Sequence, residues 1–185
     1  MKTLFCVLGR TGTGKDTIVD QVCKLMGLSK VKSFTTRPQR GPEDITHVFI
    51  KPEEAEWYKQ DVAAYTKIGE VEYFATVQQV LDADFYIIDP KGLYDFLGRW
   101  DLNAHPMRIV KIYITVPEGM QLYFLSKRGD GKEIARQRIS AENEQFEKFE
   151  QMQQWDCIVL NDDQYDTVVE VMNIVKKEKE REDIA

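Results

Sequence analysis

The sequence of 185 residues predicts a three-layer α/β fold, in which helices cover both faces of a central parallel sheet. Continuous apolar runs recur along the chain, and such runs are typical of strands buried on both faces. The segments between them repeat apolar residues at helical spacing, so strands and helices alternate. The four runs occupy residues 4–8, 85–88, 109–116 and 157–160.

The run at 4–8 is followed by a glycine-rich loop and an amphipathic helix. The helix begins near Gly14, and Gly27 ends it because glycine tolerates the left-handed conformation that commonly follows a last helical turn. Its apolar stripe consists of Ile18, Val22, Leu25 and Met26. The chain therefore opens as strand, loop and helix.

The middle of the chain, residues 30–83, lacks the long apolar runs of the main sheet and has shorter, more polar segments. Residues 30–36 are rich in β-branched and aromatic types and predict the next strand, which ends at the turn-forming sequence RPQRGP. Short half-polar runs between 47 and 83 predict a small antiparallel lobe inserted between strands of the main sheet. A helix over 52–60 lies within this lobe, with Pro52 at its first position.

Two helices complete the prediction, one after Gly131 and one near the end of the sequence. Their apolar faces consist of Ile134, Ile139, Phe146, Phe149 and Met152 in the first and of Val168, Val171, Met172 and Val175 in the second. A chain of this length suits one domain, 1–185. We expect a core formed by 1–32, 84–125 and 140–185, a lobe at 33–83 and a lid at 126–139.

The net charge of the chain narrows the range of molecules that we expect it to bind. The 31 acidic residues outnumber the 25 Lys and Arg residues, and the net charge of −6 argues against nucleic acid or membrane partners. The first residues lack a signal-peptide pattern, so we expect a cytoplasmic protein, monomer or homodimer. Three widely spaced cysteines, Cys6, Cys23 and Cys157, have no metal-ligand spacing and are predicted to be reduced.

The loop after the first strand carries the strongest functional motif. Residues 9–16, GRTGTGKD, match G-x-x-x-x-G-K between a strand and a helix, and this context predicts a P-loop NTPase fold. Backbone N–H groups at a helix N-terminus and the Lys15 ammonium group suit the phosphates of ATP. The predicted nucleotide-binding residues are Gly9, Arg10, Thr11, Gly12, Thr13, Gly14, Lys15, Asp16 and Thr17.

Asp16 stands where the motif normally has Ser or Thr. A carboxylate beside bound phosphates is repelled unless it faces Mg²⁺ or solvent, whereas the Thr17 hydroxyl could hold the α-phosphate or the metal. We therefore hypothesise that Asp16 acts through Mg²⁺.

A second anion site is predicted at 29–41, which holds four basic residues and no acid. Arg37 and Arg40 lie three residues apart beside Pro38, in a loop leaving a predicted strand. Arginine forks bind phosphate oxygens in pairs, so these two could hold the phosphate of a second substrate.

Several segments resemble the guanylate kinase family of nucleoside monophosphate kinases, over nearly the whole chain. SFTTRPQRGPED resembles the family's S-x-T-T-R-x-x-R-x-G-E, VEYFAT its N-Y-Y-G-T, and IIDPKG its D-I-D-x-Q-G. KRGDGKEIARQRISA, at 127–141, resembles the lid, and VLND the stretch near the donor adenine. The resemblance implies ATP- and Mg²⁺-dependent phosphorylation of a nucleoside or deoxynucleoside monophosphate, with GMP or dGMP favoured.

The resemblance also implies roles for single residues. Ser33 would contact the acceptor base, Arg37 and Arg40 the acceptor phosphate, and Glu43 would support their loop. Arg128 and Arg138 would contact the donor phosphates, and Asn161 would lie near the donor adenine. The remaining acceptor-binding residues would be His47, Tyr73, Phe74, Thr76 and Asp89.

Some positions depart from the family pattern. His47 replaces the first phosphate-binding tyrosine, and the second falls at Phe74, which has no hydroxyl. The glutamate that recognises guanine would lie near Ala64 or Tyr65, so its carboxylate is missing. These departures concern the acceptor base more than the phosphates.

Phosphoryl transfer needs convergent cations that neutralise the transferred group, and no covalent nucleophile. The candidate catalytic residues are Lys15, Arg37, Arg40, Arg128 and Arg138. Asp89 ends an apolar run, where it could hold Mg²⁺ through water or, by the family match, contact the acceptor base. Both roles stay open.

Two other functions compete. Ribose bisphosphate phosphokinases resemble this family and can carry G-K-D, so an acceptor such as ribose 1,5-bisphosphate is the alternative substrate. Guanylate-kinase-like binding modules without turnover usually lack the loop lysine, and Lys15 argues against that class.

Overall fold

The computed structural model describes residues 1–39, 41–117, 119–127, 129 and 131–182. The strands are β1 (Lys2–Leu8), β2 (Phe34–Thr35), β3 (Val48–Phe49), β4 (Val62–Ile68), β5 (Val71–Thr76), β6 (Phe85–Ile87), β7 (Met107–Thr115) and β8 (Cys157–Leu160). The α-helices are α1 (Lys15–Met26), α2 (Ala55–Tyr58), α3 (Val77–Leu81), α4 (Pro90–Arg99), α5 (Met120–Lys127), α6 (Lys132–Met152) and α7 (Gln164–Glu182).

The main sheet has the strand order β6-β1-β7-β8, and all of its pairs are parallel. Side chains of β1 alternate between its faces: Phe5 and Val7 pack with α1 and α7, whereas Leu4 and Cys6 pack with α4 and α6. Both faces are apolar because both are covered by helices. The predicted three-layer α/β fold with a parallel central sheet is confirmed.

A second sheet has the order β3-β2-β5-β4. Its β2–β5 and β4–β5 pairs are antiparallel, as predicted for the inserted lobe, but β2 and β3 pair in parallel. Ala63, Ala64 and Ala75 of this sheet belong to the same apolar cluster as Leu93 and Phe96 of α4, so the lobe packs on the main body. The division of the chain into core, lobe and lid stays a prediction.

The predicted strand at 30–36 is wrong as a single strand. Lys30 forms a parallel bridge with Phe85, and the N–H of Val31 donates to the carbonyl of Phe85 at 2.7 Å. The chain then leaves the main sheet, and Phe34–Thr35 join the second sheet instead. Propensity indicates extended backbone but not which sheet provides the hydrogen bonds.

The helical predictions hold with corrections at their ends. Gly14 and Gly27 flank α1 with φ values of 78° and 66°, as expected for left-handed glycines. Pro52 begins a 3₁₀ turn followed by the single turn α2, not one helix over 52–60. In α6, Phe146 and Phe149 are buried, whereas Ile134 and Met152 are each 51% exposed, so the predicted apolar face is too long.

All three cysteines are unpaired, and burial raises the pKa of the Cys6 thiol to about 12 and that of Cys23 to about 11. Within the described ranges, no helix is both long and apolar enough to cross a membrane.

Candidate functional site

The phosphate loop connects β1 to α1 and depends on glycine at two close approaches. A Cβ on Gly9 would lie 2.6 Å from the carbonyl oxygen of Ile114 in β7. Gly14 has φ +78°, and a Cβ there would lie 2.6 Å from Nδ2 of Asn161. Because these two glycines have no Cβ, the loop can lie against the ends of β7 and β8, with its backbone at the N-terminus of α1.

Asn161 supports the loop from the turn after β8. Its Nδ2 donates to the carbonyl of Thr13 at 2.9 Å, and its Oδ1 accepts from the Thr167 hydroxyl at 3.2 Å. The residue is 4% exposed. The side chain predicted to lie near the adenine therefore uses its amide to position the loop.

Lys15 begins α1 and Asp89 precedes α4. Nζ of Lys15 lies 3.4 Å from the carbonyl oxygen of Arg10. Asp89 caps α4, with Oδ1 accepting from the N–H of Gly92 at 2.6 Å. Burial raises the pKa of Asp89, while the Gly92 N–H, Lys91 and Lys15 oppose that shift. The positive charge of the loop lysine therefore favours the ionised form of Asp89.

Asp16, Thr17 and Asp89 carry the oxygen atoms that were predicted to hold a magnesium ion. Asp16 and Thr17 lie exposed on the first turn of α1, and Asp89 supplies a second carboxylate. No group of three or more metal-ligating side chains occurs among the described residues. Mg²⁺ usually takes one or two carboxylates and completes its shell with water and substrate phosphates, so this sparse donor set suits it.

Arg10 makes its side-chain hydrogen bonds with α6. Its Nε and Nη2 donate to the two carboxylate oxygens of Glu150 at 2.8 Å each, and Nη1 donates to Asn143 at 2.7 Å. The hydrogen bond from Arg10 lowers the pKa of Glu150 and is the largest contribution to that shift. Because α6 engages the whole guanidinium group, Arg10 joins the loop to α6, and its predicted contact with a nucleotide stays a prediction.

Glu142 is a functional candidate that sequence reasoning missed. Its Oε2 accepts a hydrogen bond from the backbone N–H of Thr11 at 2.7 Å. Burial raises the pKa of Glu142, and Lys15 and the Thr11 N–H oppose that shift. One glutamate among several in a charged helix gives no local signal for such a contact.

The acceptor side brings three predicted residues together. Oγ of Ser33 and Nδ1 of His47 lie 3.0 Å apart, and the rings of His47 and Tyr73 have centroids 5.6 Å apart. Ser33 directly precedes β2, His47 directly precedes β3, and Tyr73 lies within β5. They form a polar cluster of donors and acceptors.

Arg37 is held within its own loop. Nη2 lies 2.9 Å from Oδ2 of Asp44, Nη1 donates to the carbonyl of Pro38 at 3.0 Å, and the guanidinium lies 5.2 Å from the Phe49 ring centroid. Glu43 is exposed, so the support predicted for Glu43 comes from its neighbour Asp44.

Two side chains with a predicted acceptor-binding role make their contacts within the lobe itself, and that role stays a prediction. Phe74 is 1% exposed and stacks on Phe34 with centroids 5.3 Å apart. Thr76 caps α3, where its hydroxyl accepts from the Gln79 N–H at 3.3 Å.

Tyr65, at the place of the missing glutamate, donates its hydroxyl to Glu72 at 2.8 Å. Glu72 also lies 2.9 Å from Nζ of Lys59. The structure thus places a carboxylate beside Tyr65, paired within the lobe.

The remaining basic candidates are only partly described. Arg40 and Arg128 lie outside the described residues. Arg138 is half-buried on α6, one helical turn before Glu142.

No family model and no curated protein matches the sequence. Solved structures do resemble the fold. Guanylate kinase from Anaplasma phagocytophilum is 16% identical with a TM-score of 0.63, over 96% of this chain and 86% of that chain. TT1252 from Thermus thermophilus is 14% identical with a TM-score of 0.53, over 96% of this chain and 97% of that chain. At such identities the likeness concerns the fold alone.

Proposed function

We propose that the protein is an ATP-dependent kinase of the guanylate kinase type, which transfers the γ-phosphoryl group to a nucleoside or deoxynucleoside monophosphate. GMP and dGMP are the favoured acceptors. One observation carries the proposal: the first turn of α4, which Asp89 caps, packs against β4 of the second sheet. A Cβ on Gly92 would lie 2.9 Å from Oγ1 of Thr66 in β4 and 3.4 Å from Oδ1 of Asp89, and the charge of Lys15 in the phosphate loop opposes the raised pKa of Asp89.

In this mechanism the chain positions two phosphorylated substrates and neutralises charge. Loop N–H groups and Lys15 bind the donor phosphates, and Arg37 holds the acceptor phosphate. Such donors stabilise the transition state when they are fixed before the reaction, and bracing by Asn161 and Arg10 supplies that rigidity. Asp89, Asp16 and Thr17 would hold Mg²⁺, which neutralises phosphate charge. Arg40, Arg128 and Arg138 complete the proposed set of cations.

The acceptor pocket supports a second candidate. The cluster of Ser33, His47 and Tyr73 is polar, but Tyr65 stands where a guanine-reading carboxylate is expected. Glu72 is already paired with Lys59 and Tyr65. A sugar phosphate such as ribose 1,5-bisphosphate needs no base-reading group, and this arrangement favours it as the alternative acceptor.

We further propose that the protein acts in the cytoplasm, as monomer or homodimer, on small nucleotides. Its net charge of −6 supports the proposal that neither nucleic acid nor membranes are partners.

A coupled assay of ADP release tests the proposal with all ribo- and deoxynucleoside monophosphates and with ribose 1,5-bisphosphate. Turnover with a guanine nucleotide supports the leading function, and turnover only with the sugar phosphate supports the second. Failure with every acceptor, together with intact ATP binding, would indicate a binding module.

A further inference from the structure

The Glu142 side chain of α6 engages a backbone N–H group of the phosphate loop. Its carboxylate accepts from the Thr11 N–H at 2.7 Å, and Gln121 of α5 donates to the Thr11 carbonyl at 3.2 Å. Backbone N–H groups of such a loop, together with Lys15, attract anions. An internal anion is therefore bound where the loop is proposed to hold a triphosphate.

The negative charge of the Glu142 carboxylate opposes the binding of a triphosphate to the same loop. Burial raises the pKa of Glu142, and the nearby Asp89 carboxylate contributes in the same direction. Lys15 and the Thr11 N–H offset only part of that cost. Donor phosphates would add several like charges within a few ångströms, where each like pair is unfavourable. The carboxylate and the phosphates therefore compete for one loop.

Glu142 lies in the middle of α6, between a C-terminal half that is well packed and an N-terminal half that has few buried residues. The C-terminal half is anchored by the buried Phe146 and Phe149 and by the pairing of Glu150 with Arg10. The N-terminal half has one buried residue, Ala135. Arg138 precedes Glu142 by four residues, so the two side chains lie on the same helix face.

We infer that the contact between Glu142 and Thr11 is a latch that the donor triphosphate must open. In the free protein the carboxylate holds the loop and fixes the N-terminal half of α6. A bound triphosphate displaces the carboxylate from the Thr11 N–H, and the released half-helix can then bring Arg138 towards the phosphates. The inference rests on the proposed function only in requiring that the loop binds a triphosphate.

Titration calorimetry with a non-hydrolysable ATP analogue tests the latch. Glu142→Gln keeps the length and an acceptor oxygen but removes the charge, and the exposed Glu144→Gln on the same helix is the matched control. We expect Glu142→Gln to lower Kd about fivefold, with and without Mg²⁺ and also with tripolyphosphate alone, and Glu144→Gln to leave it unchanged. An unchanged or higher Kd for Glu142→Gln overturns the latch, and a loss confined to the Mg²⁺ series would make Glu142 a metal ligand instead.

Hydrogen exchange in the nucleotide-free protein tests the link to the helix. Amides of residues 132–141 should exchange faster in Glu142→Ala than in the unmodified chain, while those of α7 stay the same. Equal exchange at 132–141 overturns the link. If the unmodified chain binds the analogue and both glutamine variants match it, the latch fails and the proposed function stands. If the unmodified chain binds neither analogue nor tripolyphosphate, the proposed function fails and the latch fails with it.

Discussion

The donor half of the proposed site, built on the phosphate loop, and the acceptor half, built on the second sheet, differ in what holds them in place. Partners distant in the sequence hold the loop: the buried Asn161 from the β8–α7 turn and Glu150 from α6. The acceptor half depends on neighbours within the same lobe, such as Asp44 for Arg37 and His47 for Ser33. A loop fixed from outside is preorganised, whereas a cluster that pairs internally must exchange partners to bind a ligand.

The two halves differ most in whether their cationic side chains are already paired with a carboxylate. Lys15 has no carboxylate within ion-pairing distance among the described contacts, while Arg37 has Asp44 at 2.9 Å. An acceptor phosphate must compete with Asp44 for the guanidinium group of Arg37, whereas the donor triphosphate competes with Glu142 for a backbone N–H group. Variants on the two sides should therefore separate donor affinity from acceptor affinity.

Lys15→Ala should have the largest effect. We expect kcat/KM to fall about 10²–10³-fold, because a fixed charge facing the transferred group is lost. Titration with the ATP analogue should show weaker binding, and the melting temperature should stay close to that of the unmodified protein. Lys24→Ala, exposed near the end of the same helix, is the control. Equal losses in both variants would contradict the donor assignment.

Gly14→Ala should come next and tests the bracing of the loop. The left-handed conformation alone costs about 1–2 kcal/mol for alanine. The new Cβ would also lie 2.6 Å from Nδ2 of Asn161, whose hydrogen bonds to Thr13 and Thr167 would have to shift. We expect lower stability in urea unfolding and at least about tenfold weaker binding of the ATP analogue.

Gly27→Ala separates strain from the close contact. Gly27 has φ +66°, but a Cβ there meets nothing within 4 Å. We expect only the conformational cost of about 1–2 kcal/mol and unchanged affinity for the nucleotide. If both glycine variants bind the analogue equally well, the contact with Asn161 does not position the loop.

Arg37→Ala tests the acceptor half. The acceptor KM should rise about tenfold and kcat should fall, because a charged phosphate ligand is lost, while Kd for the ATP analogue changes less than about twofold. Steady-state kinetics at saturating ATP and calorimetry give the two values. Arg99→Ala, which removes an exposed ion pair with Asp95, is the control. An equal loss of ATP binding would show that the two halves are not separate sites.

The two halves also differ in how far the sequence predicted them. The motif at 9–17 is contiguous, and the local backbone of a strand, loop and helix places Gly14 and Lys15 without long-range information. The parallel strands followed from uninterrupted apolar runs in the same way. Asp44 and Glu142 were missed because Asp44 pairs with Arg37 across a loop and Glu142 of α6 accepts from Thr11 in the phosphate loop, and pairing of that kind has no period or spacing in the chain.

Two contacts within the lobe were not predicted for a related reason. Phe74 and Thr76 fit a family pattern, but the first is buried against Phe34 and the second caps α3. Motif matching places residues along a strand, whereas function depends on which face of the strand each side chain occupies. A one-residue difference reverses that face.

Glu150→Gln should have the smallest effect and tests whether α6 braces the donor half. The Glu150 carboxylate accepts from Arg10 and from the Tyr113 hydroxyl, and the hydrogen bond from Arg10 is the largest cause of its lowered pKa. A carboxylate whose folded-state pKa is lowered stabilises the fold above its unfolded-state pKa and loses that contribution as pH falls through the folded-state value. Because Glu150 is a third exposed, we expect a loss of only about 1 kcal/mol at pH 7.

Urea unfolding at several pH values measures this contribution. The difference between the unmodified protein and Glu150→Gln should be largest near neutral pH and should shrink as the solution becomes acidic, since the glutamate is then protonated and resembles the amide. Glu147→Gln, exposed on the same helix, should show no such difference at any pH. A penalty independent of pH would mean that packing around Tyr113, not the ion pair with Arg10, holds the loop to α6, and the contrast between an externally braced donor half and a self-paired acceptor half would then rest on Asn161 alone.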